Sequence, residues 1–121
     1  MRPDDLLGLA HTLAAAQNAA EPQWREAAVL AHRAIHLLVA AHLGLDPASF
    51  AGTPRAVAEA LSAIDPANAP GFIKIARRHF TTTWIAGERA TQRIAEPFGA
   101  RDAQLSLAYA DAVFAARAAA N

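Results

Sequence analysis

The sequence lacks cysteine, an excess of either charge, and any long apolar run. Without cysteine, the fold can contain neither disulfide bonds nor thiolate metal sites. Eleven basic residues balance eleven acidic ones, which removes the general electrostatic argument for binding duplex nucleic acid or an anionic membrane. No stretch reaches 18 consecutive apolar residues, so we expect neither a membrane-spanning helix nor a membrane partner.

The first residues of the chain are unlike a secretory signal peptide. Arg2, Pro3, Asp4 and Asp5 place two carboxylates where a signal peptide would begin its apolar segment. We therefore expect a cytoplasmic protein.

Alanine is the most abundant residue, at 34 of 121 positions. It has the highest helix propensity, because it loses no side-chain entropy in a helix, and its small side chain lets helices approach closely. A chain of 121 residues suits one domain. Composition therefore predicts a single all-α domain over residues 1–121.

Apolar spacing and the residues at helix ends predict an up-and-down bundle of four main helices and one short helix. We expect the first helix from Pro3 to about Ala20 and the second from Pro22 to Leu43, with Gly44 after it. The short third helix is expected from Pro54, capped by Thr53, to near Asp65 and Pro66. The fourth is expected from Phe72 to roughly Trp84, and the last begins at Arg101. The polar stretch from Gly87 to Gly99, which includes Arg93, is expected to be a loop with one helical turn at most.

The second predicted helix is apolar around most of its circumference. Leu30 and Leu37 form a stripe away from its main apolar face, and Leu107 and Phe114 form a similar stripe on the last helix. A small monomer covers such stripes only if both helices are central. We therefore predict a homodimer that uses Leu30, Leu37, Leu107 and Phe114 as its interface.

Three groups of residues could carry chemistry. His32 and His36 lie one helical turn apart, but no carboxylate shares their stripe, so half-buried histidines are favoured over a metal site. Lys74, Arg77, Arg78 and His79 could hold phosphate or an RNA backbone, although a solvated helix face also explains them. Trp84 could stack on a base or anchor the core.

Several segments are similar to the HEPN domain family, whose members are small helical proteins found beside nucleotidyltransferases, in toxin–antitoxin pairs and among RNases. The stretch from Ala31 through His36 to Ala41, with Gly44 after it, resembles the family's alanine-rich helix. Phe80 to Gly87 resembles the family segment Tyr-Ile-x-Thr-Arg-Tyr-Pro-Asp. Phe98, Asp102 and Ala103 are similar to the aromatic residue and acidic helix start that follow in the family.

The resemblance implies a non-catalytic, cofactor-free protein that binds a nucleotidyltransferase partner or a nucleotide-type or phosphate-type ligand. The contacts that it implies are Arg33, His36, Arg77, Arg78, His79 and Trp84.

The sequence also departs from the family. The family's Glu and Lys become His36 and Ala40, its Arg becomes Trp84, and the Arg-x4–6-His motif of HEPN RNases is missing from the helix before the last. Two alternatives stay open. One is an RNase toxin that uses Arg25, His32 and His36 in an altered arrangement, and the other is an oligomerising bundle without a ligand.

Overall fold

The part of the chain that the structure describes contains five α-helices joined by short connecting segments. The structure, a computed structural model, describes residues 2–48, 52–64, 67–92 and 97–120. The helices are α1 (Pro3–Ala15), α2 (Glu21–Leu43), α3 (Pro54–Ser62), α4 (Pro70–Thr91) and α5 (Ala100–Ala119), and these ranges contain no strand. The predicted all-α class, with four longer helices and one short one, is confirmed.

Side-chain contacts show that α4 runs antiparallel to both α2 and α5. His32 of α2 contacts Thr83 of α4, and His42 of α2 contacts Phe72 of α4, so residue numbers increase in opposite directions along the two helices. The α4–α5 pair has the same sense, and α1 packs against both α2 and α5. The short helix α3 packs on α4. Helix α2 therefore lies at the centre, in contact with α1, α4 and α5.

The ends of the helices follow from local sequence. Proline occupies the first turn of α1, α2, α3 and α4, where its missing N–H would have had no partner inside the helix. The Thr53 hydroxyl accepts a hydrogen bond from the Ala56 N–H at 3.2 Å, as the predicted cap requires. Gly44 ends α2 with a φ of 70°, a conformation that glycine adopts without steric cost.

Two predicted helix ends are wrong. Helix α1 stops at Ala15 rather than about Ala20, and α4 continues to Thr91, into the first residues of the stretch predicted as a loop. Gly87 lies buried at the contact with α2, where an added β-carbon would be 3.9 Å from the His32 β-carbon. Gly87 therefore lies inside α4 at an ordinary packing distance from α2, and it does not end the helix.

Helix α3 ends at Ser62. Its predicted end at Asp65 and Pro66, and Arg93 in the predicted loop, lie outside the described residues.

The apolar stripes assigned to a dimer interface lie largely inside the chain itself. Leu30 and Leu107 are only 6% and 5% exposed, and Leu37 and Phe114 pack partly buried against the same core. Because α2 has three neighbouring helices, its second stripe needs no second copy to cover it. Leu30 and Leu107 are thus corrected from interface to core residues, and the homodimer remains a prediction without their support.

None of the described helices is long and apolar enough to cross a membrane.

Candidate functional site

A groove with a volume of about 620 Å³ lies between α3 and α4. Its apolar lining includes Leu61 and Ile64, from the end of α3 and just beyond, and Ile73 from α4. Its polar lining comes from Lys74, Arg77, Arg78 and Thr81, all on α4. We call this cavity, with its lining, the basic groove.

The spacing of residues along α4 explains why these polar side chains lie together. Positions three and four apart share one face of a helix, which brings Lys74, Arg77, Arg78 and Thr81 to the side next to α3. The buried face of the same helix is formed by Phe72, Ala76, Phe80 and Thr83. Helix α3 is held on α4 by the buried Val57 and Leu61, and its packing provides the second wall of the groove.

The three cations of the basic groove have no partner among the described residues. Lys74, Arg77 and Arg78 are exposed, and their side chains form no hydrogen bond or ion pair with the described part of the chain. Glu59 lines a neighbouring cavity together with Arg77, and its carboxylate pairs with Arg55 at 3.2 Å. These cations can therefore contact an anionic ligand without first giving up an interaction within the chain.

A smaller cleft of about 140 Å³ lies between α2 and α4, towards the other end of α4. Its lining includes Arg33, Trp84, Glu88 and one side of His32. We call it the Trp84 cleft. The two cavities share no lining residue, so Arg77 and Trp84 do not line the same space.

His32 is held in a neutral form at the contact between α2 and α4. Its Nδ1 lies 2.9 Å from the Thr83 hydroxyl, which itself lies within hydrogen-bond distance of the carbonyl oxygens of His79 and Phe80. When the hydroxyl donates to one of these carbonyl oxygens, Nδ1 of His32 carries a proton and donates to Thr83. Burial, and to a smaller extent the nearby His36, lower the pKa of His32 to about 4.

His36 lies one turn further along α2, under the chain that leads into α3. A β-carbon on Gly52 would lie 3.1 Å from its Cε1 atom, so only glycine fits there without displacing the ring. Its ring also lies edge-on to Phe80, with the centroids 6.1 Å apart. No group of three or more His, Asp or Glu residues in the described ranges could hold a metal ion, so the two histidines have no third ligand there.

Arg25 ties the start of α2 to the end of α4. Its Nη1 donates to the carbonyl oxygens of Arg89 and Ala90 at 3.0 and 3.1 Å, and its Nη2 donates to Glu21 at 2.8 Å. The last carbonyl groups of a helix lack partners within the helix, and a cation there also interacts favourably with the helix dipole. The same Glu21 oxygen accepts from the Phe98 N–H, and the bonds from Arg25 and Phe98 lower the pKa of Glu21.

The RNase alternative draws on Arg25, His32 or His36, and the described chain does not bring all three together. Arg25 and His36 are eleven residues apart on one straight helix, which corresponds to about 16 Å along its axis. Since the Arg25 guanidinium is bound at the end of α4, it cannot stabilise charge at His36. Arg25 and His36 therefore do not share one site within the described chain, and the RNase alternative stays a prediction.

His79 faces away from the basic groove. Its ring stacks on Tyr109 of α5, with centroids 4.7 Å apart and an interplanar angle of 25°. Burial lowers its pKa, and the neighbouring Arg78 adds to this effect.

The six predicted ligand contacts are thus divided among separate places. Arg77 and Arg78 line the basic groove, Arg33 and Trp84 line the Trp84 cleft, and His36 and His79 pack against other parts of the bundle. The sequence interpretation missed the aliphatic wall from α3. The apolar spacing of Leu61 and Ile64 was visible in the sequence, but that spacing does not show which helix they face.

Comparison with models of protein families, with characterised proteins and with solved structures gave no match to this chain. The similarity to HEPN domains therefore stays a prediction that depends on the segments quoted above.

Proposed function

We propose that this protein is a non-catalytic binding module that holds a phosphate-type anion in the basic groove. The observation that carries the proposal is the group of three exposed cations, Lys74, Arg77 and Arg78, which lie together at one cavity without partners in the described chain. Guanidinium groups bind phosphate with two parallel hydrogen bonds, and a lysine adds a point charge.

The expected affinity for a small anion is modest. A hydrogen bond to a charged group contributes about 2 kcal/mol, so two of them correspond to a dissociation constant of about 1 mM. Tighter binding requires further contacts with the rest of the ligand.

The narrower expectations from the HEPN resemblance have unequal support. A nucleotide with its phosphate on Arg77 and its base on Trp84 would have to extend from one cavity to the other, about 10 Å along α4. A nucleotidyltransferase partner and a homodimer remain predictions, and no contact described above depends on either of them.

A phosphate titration followed by two-dimensional NMR tests the proposal. We expect the amide signals of residues 73–81 to shift and saturate in the low millimolar range. Arg77→Gln should weaken binding at least fivefold, because it removes one bidentate contact. Arg101→Gln is the matched control, since Arg101 is an exposed arginine on α5 and its substitution changes the net charge equally.

Saturation with unchanged affinity in the Arg101 variant would support the proposal. Shifts that never saturate, or equal weakening by both substitutions, would contradict it, because either result would mean that net charge alone attracts the anion.

A further inference from the structure

The three cations of the basic groove lie beside side chains of a quite different kind. Leu61, Ile64 and Ile73 give the groove an aliphatic surface, and Pro70 extends it towards the start of α4. Among the lining residues that the structure describes, none is aromatic. The groove therefore combines a cationic part with an apolar, aliphatic part.

We infer that the ligand of the basic groove is a single-chain amphiphile, with an anionic head such as a phosphate or a carboxylate and a hydrocarbon tail. The inference rests on the proposed function and adds the tail to it. A hydrated anion alone would leave Ile64, Ile73 and Pro70 in contact with water. A hydrocarbon chain would displace that water, and each fully buried methylene group tightens binding about fourfold.

The positions along α4 define an orientation for such a ligand. Arg77, Arg78 and Thr81 lie towards the middle of α4, whereas Pro70 and Ile73 lie in its first turn. The head is therefore held by the arginines, and the tail lies between Ile73 and the α3 residues. Lys74 lies next to Ile73 and can interact with the same head.

The size and lining of the groove favour this ligand over two others. A cavity of 620 Å³ falls within the range of small-molecule sites, roughly 300–1,000 Å³. A partner helix, which is about 10 Å wide, would fill it with little more than one turn. A nucleobase stacks best on an aromatic ring, and Trp84 lines the other cleft.

Calorimetric titration of the full chain with inorganic phosphate, butyl phosphate and octyl phosphate tests the inference. The octyl ester is used below the concentration at which it forms micelles. We expect octyl phosphate to bind at least tenfold more tightly than butyl phosphate, since partial burial of four methylene groups gives a gain of this size. Arg77→Gln should weaken all three ligands by a similar factor.

Substitutions at two positions of α4 distinguish specific contact with the hydrocarbon tail from non-specific hydrophobic binding elsewhere on the surface. Ile73→Thr should remove most of the gain with chain length, and Ile73→Val should remove part of it. Ile85→Thr is the matched control, because Ile85 is 51% exposed on the same helix and outside the groove. Circular dichroism confirms that each variant is folded.

The outcomes distinguish this inference from the proposed function. Equal affinity for all three phosphates would contradict the inference of a hydrocarbon tail but not the proposed anion site. Absence of binding for all three would contradict both the inference and the proposed function. Loss of the chain-length gain in the Ile85 variant would also overturn the inference. So would binding to phosphatidic acid vesicles without binding to octyl phosphate, or tighter binding of AMP than of octyl phosphate, since these results point to a membrane surface or a nucleotide.

Discussion

Two polar regions on α4 differ in how their hydrogen bonds and charges are satisfied. Where α4 meets α2, the His32 ring is bonded to Thr83, and Arg25 is bonded to the last carbonyl groups of α4. In the basic groove, Lys74, Arg77 and Arg78 have no such partners in the described chain. The comparison suggests that polar groups in the first region stabilise the fold, whereas those in the second are available to a ligand.

Acid should destabilise the first region most strongly, through His32. The pKa of His32 is about 4 in the folded chain, against an ordinary value of 6.5, so the unfolded chain binds the proton more readily. Its contribution to stability is complete above pH 6.5 and is lost as the pH falls towards 4. The loss in the free energy of unfolding is on the order of 3 kcal/mol.

Chemical denaturation of the wild type and of His32→Gln, across pH 4 to 7, measures this effect. Glutamine has no titrating proton, so the other acid-sensitive groups cancel in the comparison. The wild type should lose about 3 kcal/mol more than the variant over this range. If stability depended on pH in the same way in both proteins, the pKa of His32 would be the same in the folded and unfolded chains, which would contradict this prediction.

Arg25 gives the next largest expected effect. Arg25→Gln removes the charged donor from the carbonyl groups at the end of α4 and from Glu21, and should lower the free energy of unfolding by about 2 kcal/mol. The chain contains a matched control in Arg55, which pairs with Glu59 at the same spacing of four residues but is fully in solvent. Arg55→Gln should cost less than about 0.5 kcal/mol.

Urea denaturation of the two variants measures the difference. If both variants lost the same small amount of stability, the bonds from Arg25 to α4 would contribute no more than an ordinary surface ion pair.

Much of the helical framework could be predicted from sequence because its signals are local. Pro54 with Thr53 marks the start of α3, and Gly44 marks the end of α2, whatever surrounds them. The end of α4 could not be predicted in this way. A glycine often follows the last residue of a helix, but Gly87 lies inside α4, buried against α2, and the identity of the residue alone does not distinguish the two cases.

In the candidate site, too, features of a single helix could be predicted from sequence, whereas features that depend on packing between helices could not. Arg77 and Arg78 were identified because the spacing of charges is a property of one helix. The aliphatic wall depends on α3 packing against α4, and the burial of Leu30 depends on how many helices surround α2. Neither can be obtained from the period of a single segment, because both depend on which segments become neighbours.

The smallest expected effect on stability belongs to the basic groove. Replacing both Arg77 and Arg78 with glutamine should leave the free energy of unfolding within about 0.5 kcal/mol of the wild type, because exposed side chains without partners contribute little. The same double substitution should abolish saturable phosphate binding. Thermal denaturation measured with and without 20 mM phosphate, about twenty times the expected dissociation constant, reports both properties in one experiment.

Phosphate should stabilise the wild type by nearly 2 kcal/mol under these conditions and the double variant not at all. Equal stabilisation of both proteins would place the anion elsewhere on the surface. A large loss of stability in the double variant without phosphate would show that the two arginines help to hold α3 on α4. The polar groups of both regions of α4 would then stabilise the fold, and the regions would differ only in how exposed those groups are.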